Sequence, residues 1–278
     1  MDRIPFGVRQ LDTIINGGAP RGSVVLLSGE AGAGSREFMH TSAVMNGLAT
    51  GDPELYDLHY GDLAADAVQP DEVHYLSFTA DEAALRREML MEMDDDIVDA
   101  GLDSVHFHDM SERYFHPTPV PRNWYSEATR TIQDLRNDGE RKDFLTALGE
   151  TLSAIAPGNL LIIDSLTDLV SAAGETLEWA DIFVLMKGLQ KASYEWDGLV
   201  LLPINHDTLT AQRLGQLSDA ATGTMRFSWE SGGSTRARTL VVKQFRGVLS
   251  QIEAENIVRF ETELGDAGFD ISDVRKIR

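Results

Sequence analysis

Residues Gly22 to Arg36 read Gly-Ser-Val-Val-Leu-Leu-Ser-Gly-Glu-Ala-Gly-Ala-Gly-Ser-Arg, and no other stretch constrains the fold as tightly. Val24–Leu27 is an apolar run without polar alternation, as in a strand buried on both faces of a parallel sheet. It runs directly into a turn carrying Gly29, Gly32 and Gly34, then into a helix expected over Ser35–Leu48. This is the context of a phosphate loop, whose backbone N–H groups and helix N-terminus cradle anionic oxygens. Gly29 and Gly34 have the separation of G-x-x-x-x-G-K-[ST], but Ser35 stands at the lysine position and Arg36 at the Ser/Thr position. Serine brings no charge to the β- and γ-phosphates, and arginine cannot ligate Mg²⁺. Three readings stay open: a loop kept for its turn geometry, nucleotide binding without efficient hydrolysis, and competent hydrolysis.

Further strands are expected at Val73–Phe78, Val105–His108, Leu160–Ile163, Leu199–Leu202 and Thr239–Gln244. Amphipathic helices are expected at Asp81–Met93, Lys142–Ile155 and Glu175–Tyr194, each long enough for a crossover. The alternation predicts a single α/β domain over residues 1–278 with a mostly parallel sheet. Met225–Trp229, Arg238–Gln244 and Ile257–Glu261 read as antiparallel strands finishing it. Acidic Gly51–Pro70 and proline-rich Tyr114–Trp124, an extended excursion, read as surface insertions near residues 51–70 and 111–125, with partner loops as the alternative. Leu160–Ile163 ends in Asp164, which in a phosphate-loop protein holds a water on Mg²⁺ and elsewhere caps a turn.

Charge bounds the partners. The chain has 45 Asp and Glu against 24 Lys and Arg, a formal charge of −21, which argues against a broad grip on nucleic acid. Only 5 of the basic residues are lysine. Together with the excess of aspartate, this resembles the cytoplasmic proteins of a salt-accumulating archaeon, where a Debye length of ~3 Å at 1 M salt screens self-repulsion. The alternative is an ordinary acidic protein with a solvated surface. No apolar stretch approaches the ~18 residues of a membrane span, and Met1–Pro5 has no signal core. There is no cysteine, hence no disulfide framework. A soluble, cytoplasmic protein is expected.

Ile4-Pro5-Phe6-Gly7-Val8-Arg9-Gln10-Leu11-Asp12 and Asn16-Gly17-Gly18-Ala19-Pro20-Arg21-Gly22 resemble the entry to the core domain of KaiC-like ATPases. The resemblance continues through Ile162-Ile163-Asp164-Ser165-Leu166-Thr167 to Val241–Gly247, nearly the whole chain. It implies a RecA-like P-loop domain, ATP with Mg²⁺ as ligand, and a ring or filament with nucleotide between subunits. It places the nucleotide at Gly29, Glu30, Ala31, Gly32, Ala33, Gly34, Ser35 and Arg36, with Asp164 reaching the metal through water and Arg246 reaching a neighbour's phosphates. The departures agree with one another. The family's glutamate after the second strand is replaced by Thr79 and Ala80, while Asp81 and Glu82 fall where they open a helix. In place of Lys-x-Arg stands Gln244-Phe245-Arg246, with Lys243 one residue off and so on the opposite strand face. The resemblance therefore implies a regulatory or scaffold subunit, a pseudo-ATPase that binds ATP and Mg²⁺ weakly or not at all. It would associate with itself, with a related subunit, or with a signalling partner. The alternative is an active ATPase in signalling. A DNA-recombination accessory would need a basic stripe from Arg226, Arg236, Arg238 and Lys243.

Three other clusters carry chemistry. His106 and His108 share one strand face, as a metal pair or a sheet-end pair. Asn205-His206 sits at a strand end, as a γ-phosphate sensor or a loop cap. Asp94-Asp95-Asp96 reads as a solvated helix end.

Overall fold

The computed structural model describes residues 2–116, 118–126, 141–171, 178–232, 235–254 and 257–276. Two short strands, β1 (Arg3–Ile4) and β2 (Ala19–Pro20), pair antiparallel ahead of the main sheet. The main sheet holds β3 (Ser23–Gly29), β4 (Val73–Ser77), β5 (Val105–Asp109), β6 (Leu160–Asp164), β7 (Leu199–Asn205), β8 (Gly223–Gly232), β9 (Thr235–Phe245), β10 (Ile257–Gly265) and β11 (Gly268–Lys276). Among the described residues its order is β11-β10-β9-β8-β3-β7-β6-β4-β5.

Every residue of β3, β4 and β6 is buried, which is why Val24–Leu27 and Leu160–Ile163 read as apolar runs, while β4 also buries His74 and Ser77. Val25, Leu27, Tyr75 and Ile162 face Phe38, Met39 and Val44 of the helix Ser35–Gly51. On the other face, Val24, Leu26, Leu161 and Ile163 meet Leu148 and Leu152 of the helix Arg141–Ile155, and Ile182 and Met186 of Trp179–Trp196. Helices thus cover both faces of a sheet whose parallel strands end along one rim. Gly29 lies beside Asn205, and Ser77 beside Asp164.

Several expectations need correction. β8, which contains Met225–Trp229, runs parallel to β3, and the antiparallel part begins at β9. A strand's own pattern does not report its neighbour's direction. Thr224 pairs with Gln244 and Met225 with Val242, so Lys243 is the extra residue of a bulge, and strict alternation does not set its face. The helix after β4 covers only Glu82–Met89; Asp94 then precedes a further helix, Asp95–Leu102, without a side-chain capping bond, and Asp95 and Asp96 lie in its first turn. Within Gly51–Pro70, Pro53–His59 is helical, and Tyr56 and Tyr60, one turn apart, are buried with rings stacked at 4.9 Å. Tyr114–Trp124 is not extended throughout, since Ser111–Phe115 is helical and Arg122–Trp124 is a 3₁₀ turn. Residues 175–177 of the expected helix Glu175–Tyr194, and Pro117, lie outside the described residues.

Candidate functional site

The loop after β3 borders a cleft of about 300 Å³ with walls from Gly29–Gly32, Ser35–Glu37, Glu92, Asp164, Ser165, Thr167 and Asn205. This is the C-terminal rim of the parallel strands, where open α/β sheets place their ligands. Gly34 takes a φ of +106°, and a Cβ there would come within 2.9 Å of the Phe269 ring. Only glycine fits that combination. Gly29 is open for a different reason: the Ser35 hydroxyl folds against its Cα, in space a Cβ would need. Ser35 lines the cleft with a short, uncharged side chain in place of a lysine.

The loop is also tied from outside. The Trp229 indole N–H donates to the Ala31 carbonyl at 3.1 Å, and Arg238 Nε donates to the Gly32 carbonyl at 3.1 Å. The Arg238 guanidinium lies 5.1 Å from the Trp229 ring and pairs with Glu37 at 3.6 Å. Glu30 accepts the Trp229 backbone N–H at 3.3 Å and passes its own to Phe227 at 3.1 Å. Of the basic stripe, Arg238 is thus committed to the loop, and the Arg236 side chain lies outside the described residues.

Arg36 turns across the cleft. Its Nη2 is 3.0 Å from Asp164 Oδ2, and its Nε is 3.1 Å from Glu88 Oε2. Tyr75, on the neighbouring strand, donates its hydroxyl to the same Asp164 oxygen at 3.0 Å. Burial raises the Asp164 carboxyl above the ordinary aspartate range, opposed by Arg36. In a phosphate-loop protein this acid orients water on Mg²⁺ and the loop Ser/Thr binds the ion. Here Arg36 stands at that Ser/Thr position and its guanidinium sits on the acid, so the donor set does not fit Mg²⁺.

After β4, the Thr79 and Ala80 N–H groups donate to Ser77 Oγ at 3.4 and 3.1 Å. Asp81 caps its helix by accepting the Ala84 N–H at 2.8 Å. No general base is presented from these positions. Asn205 Oδ1 accepts the Asp207 N–H at 3.0 Å, as a loop cap does. Arg246 follows β9 at the opposite end of the sheet, where Phe245 pairs with Gly223, and donates to the Tyr194 hydroxyl at 3.3 Å. Its own loop is out of reach.

His106 and His108 gain a neighbour in His74 of β4, whose Nδ1 lies 3.0 Å from His108 Nε2. The His74 and His106 rings stack at 5.1 Å. Burial lowers the His74 and His108 pKa values, reinforced by the neighbouring imidazoles. Among the described residues no three His, Asp or Glu side chains are arranged to hold a metal ion. No described helix is long and apolar enough to cross a membrane.

Tyr75, Glu88, Trp229 and Arg238 join the site only in three dimensions. A tyrosine in a buried strand is a usable signal, because its hydroxyl needs a partner. The other three become visible as loop and rim residues only once the sheet order is known.

The central loop strand, the acid on the next strand but one, and helices on both faces define a RecA-type α/β fold. The crystal structure of a KaiC-like protein from the hyperthermophilic archaeon Pyrococcus horikoshii OT3 matches it with a TM-score of 0.63. Sequence identity is 17%, over 98% of this chain and 99% of that one, and the likeness establishes the fold. No family model matches the chain, and no curated protein does.

Proposed function

We propose that this chain is a single-domain, KaiC-like regulatory or scaffold subunit that binds ATP weakly and does not hydrolyse it efficiently. The observation that carries the reading is Ser35: at the position where a phosphate loop extends its lysine, the cleft is lined by a short, uncharged side chain packed against Gly29. Thr79 and Ala80, whose N–H groups are spent on Ser77, agree with it. A charged phosphate contact contributes about 1.5–3 kcal/mol, so its loss weakens binding by roughly one to two decades. In this reading the chain acts by assembling, with itself or with a related, catalytically intact subunit, in a signalling role within a high-salt cytoplasm. Phosphate release from ATP under single- and multiple-turnover conditions is the test. Turnover at the rate of an intact phosphate-loop ATPase, abolished by Asp164→Asn, refutes the proposal and restores the ATPase alternative.

A further inference from the structure

We infer that Arg36 is a resident cation in the place of Mg²⁺, so that the cleft excludes divalent metal and takes polyphosphate metal-free; the ligand half rests on the weak nucleotide binding proposed above. The guanidinium is held from two elements at once. Glu88, on the helix Glu82–Met89, pairs with Nε at 3.1 Å, and Asp164, at the end of β6, accepts a hydrogen bond from Nη2 at 3.0 Å. Tyr75 donates to the same Asp164 oxygen, which is thus occupied by two donors. A hydrated metal entering at that oxygen would have to displace a guanidinium that carries its charge at every working pH.

On the ligand side, Arg36 Nη1 has no partner among the described residues. The side chain is 48% exposed and lines the cleft beside the glycine loop. A planar fork with a free N–H edge suits a phosphate oxygen, and it neutralises that oxygen without a metal bridge. Among the described residues of the lining, Arg36 is the only cation, against the carboxylates of Glu30, Glu37, Glu92 and Asp164, so a bound polyphosphate depends on it.

The test uses the full chain and two probes. Mn²⁺ binding, read by the loss of the free-ion electron spin resonance signal, is compared between wild type and Asp164→Asn. It is compared again between Arg36→Gln and Arg36→Gln/Asp164→Asn. The wild type and D164N should coincide, while R36Q should bind one more ion than its double variant. An Asp164-dependent ion in the wild type overturns the inference even if the Arg36 variants fail to fold. An R36Q protein that folds and gains no ion also overturns it. The second probe is inorganic pyrophosphate, titrated calorimetrically in EDTA and in Mg²⁺. Equal Kd values within about twofold, weakened at least about tenfold in R36Q, are expected. Binding tenfold tighter with Mg²⁺, or none in either buffer, overturns the ligand half. Neither probe measures ATP turnover, so failure here is separate from failure of the non-hydrolysing reading.

Discussion

Arg36→Ala strands a buried carboxylate, and the size of the loss follows from the exposure of the two partners. Asp164 is 5% exposed and can recover little hydration when its partner is removed. Breaking a fully buried pair costs about 3–5 kcal/mol. The Arg36 side chain is 48% exposed, however, so water already screens one end of the pair, and the expected cost falls to about 1–2 kcal/mol. The loss belongs to the ionised carboxylate and therefore depends on pH. Asp164 already titrates above the ordinary aspartate value of 3.8 because of burial, and losing Arg36 moves it further up. On acidification through that raised pKa the carboxyl takes a proton, the guanidinium has nothing to pair with, and the difference between variant and wild type shrinks. Urea unfolding of wild type, R36A, D164N and R36A/D164N, at pH 8 and pH 5 and fixed salt, gives the coupling directly. An R36A cost that is the same with and without the Asp164→Asn change would refute the reasoning.

Ser35→Lys with Arg36→Thr should tighten Mg-nucleotide binding by roughly one to two decades and leave turnover slow, because Thr79 and Ala80 supply no base; rapid phosphate release by this variant contradicts the base assignment. Asp12 accepts N–H bonds from Phe6 and Gly7 and the Tyr60 hydroxyl, so Asp12→Asn turns an amide toward donors and should cost about 1–3 kcal/mol in denaturation experiments. Burial raises the Asp12 carboxyl to about 7 from 3.8, so its contribution is greatest below pH 4 and is lost as pH rises to 7; the variant's penalty should shrink over the same window. His74 and His108 titrate below the ordinary 6.5, so their stabilisation is complete above pH 6.5 and is lost below it; His108→Gln should flatten that acid-side loss, and an unchanged profile argues against it. Self-association measured by light scattering should strengthen in molar salt and respond little to Mg-ATP; an oligomer that forms only with ATP contradicts the proposed role.

The parts of the fold legible in the sequence are those in which one local pattern has one structural meaning. Leu160–Ile163 and Leu199–Leu202 are apolar throughout because helices cover both their faces, and both lie inside strands. β11 escaped notice because Asp270, Asp273 and Arg275 interrupt its apolar residues, as an edge strand open to water allows. The bulge at Lys243 and the direction of β8 are set by neighbours far along the chain, about which period-two reading is silent. The helix at Pro53–His59 carries Tyr56 and Tyr60 one turn apart among acids, too few apolar positions to show a face. In the site, the loop and Asp164 could be placed from motif position alone. The partnership of Arg36 with Asp164 could not, because it spans 128 residues and exists only after β3 and β6 are brought to the same rim.

That partnership also connects two substitutions that look separate in the sequence. A phosphate loop with lysine and Mg²⁺ sets three positive charges against its nucleotide. With serine for the lysine and no metal, the acid at the end of β6 would stand buried with no opposing charge, at a cost of several kcal/mol. Arginine at the next position removes that difficulty in a single change, since its side chain reaches from the helix start to Asp164 and leaves one nitrogen for a ligand. The cleft lining then sets one positive charge against Glu30, Glu37, Glu92 and Asp164. A triphosphate meets a net acidic lining there, in keeping with the weak affinity proposed above. Arg36, Asp164, Tyr75 and Glu88 thus form one connected set of charged and polar groups at the rim, an arrangement that suits the proposed scaffold role better than that of a nucleotide switch.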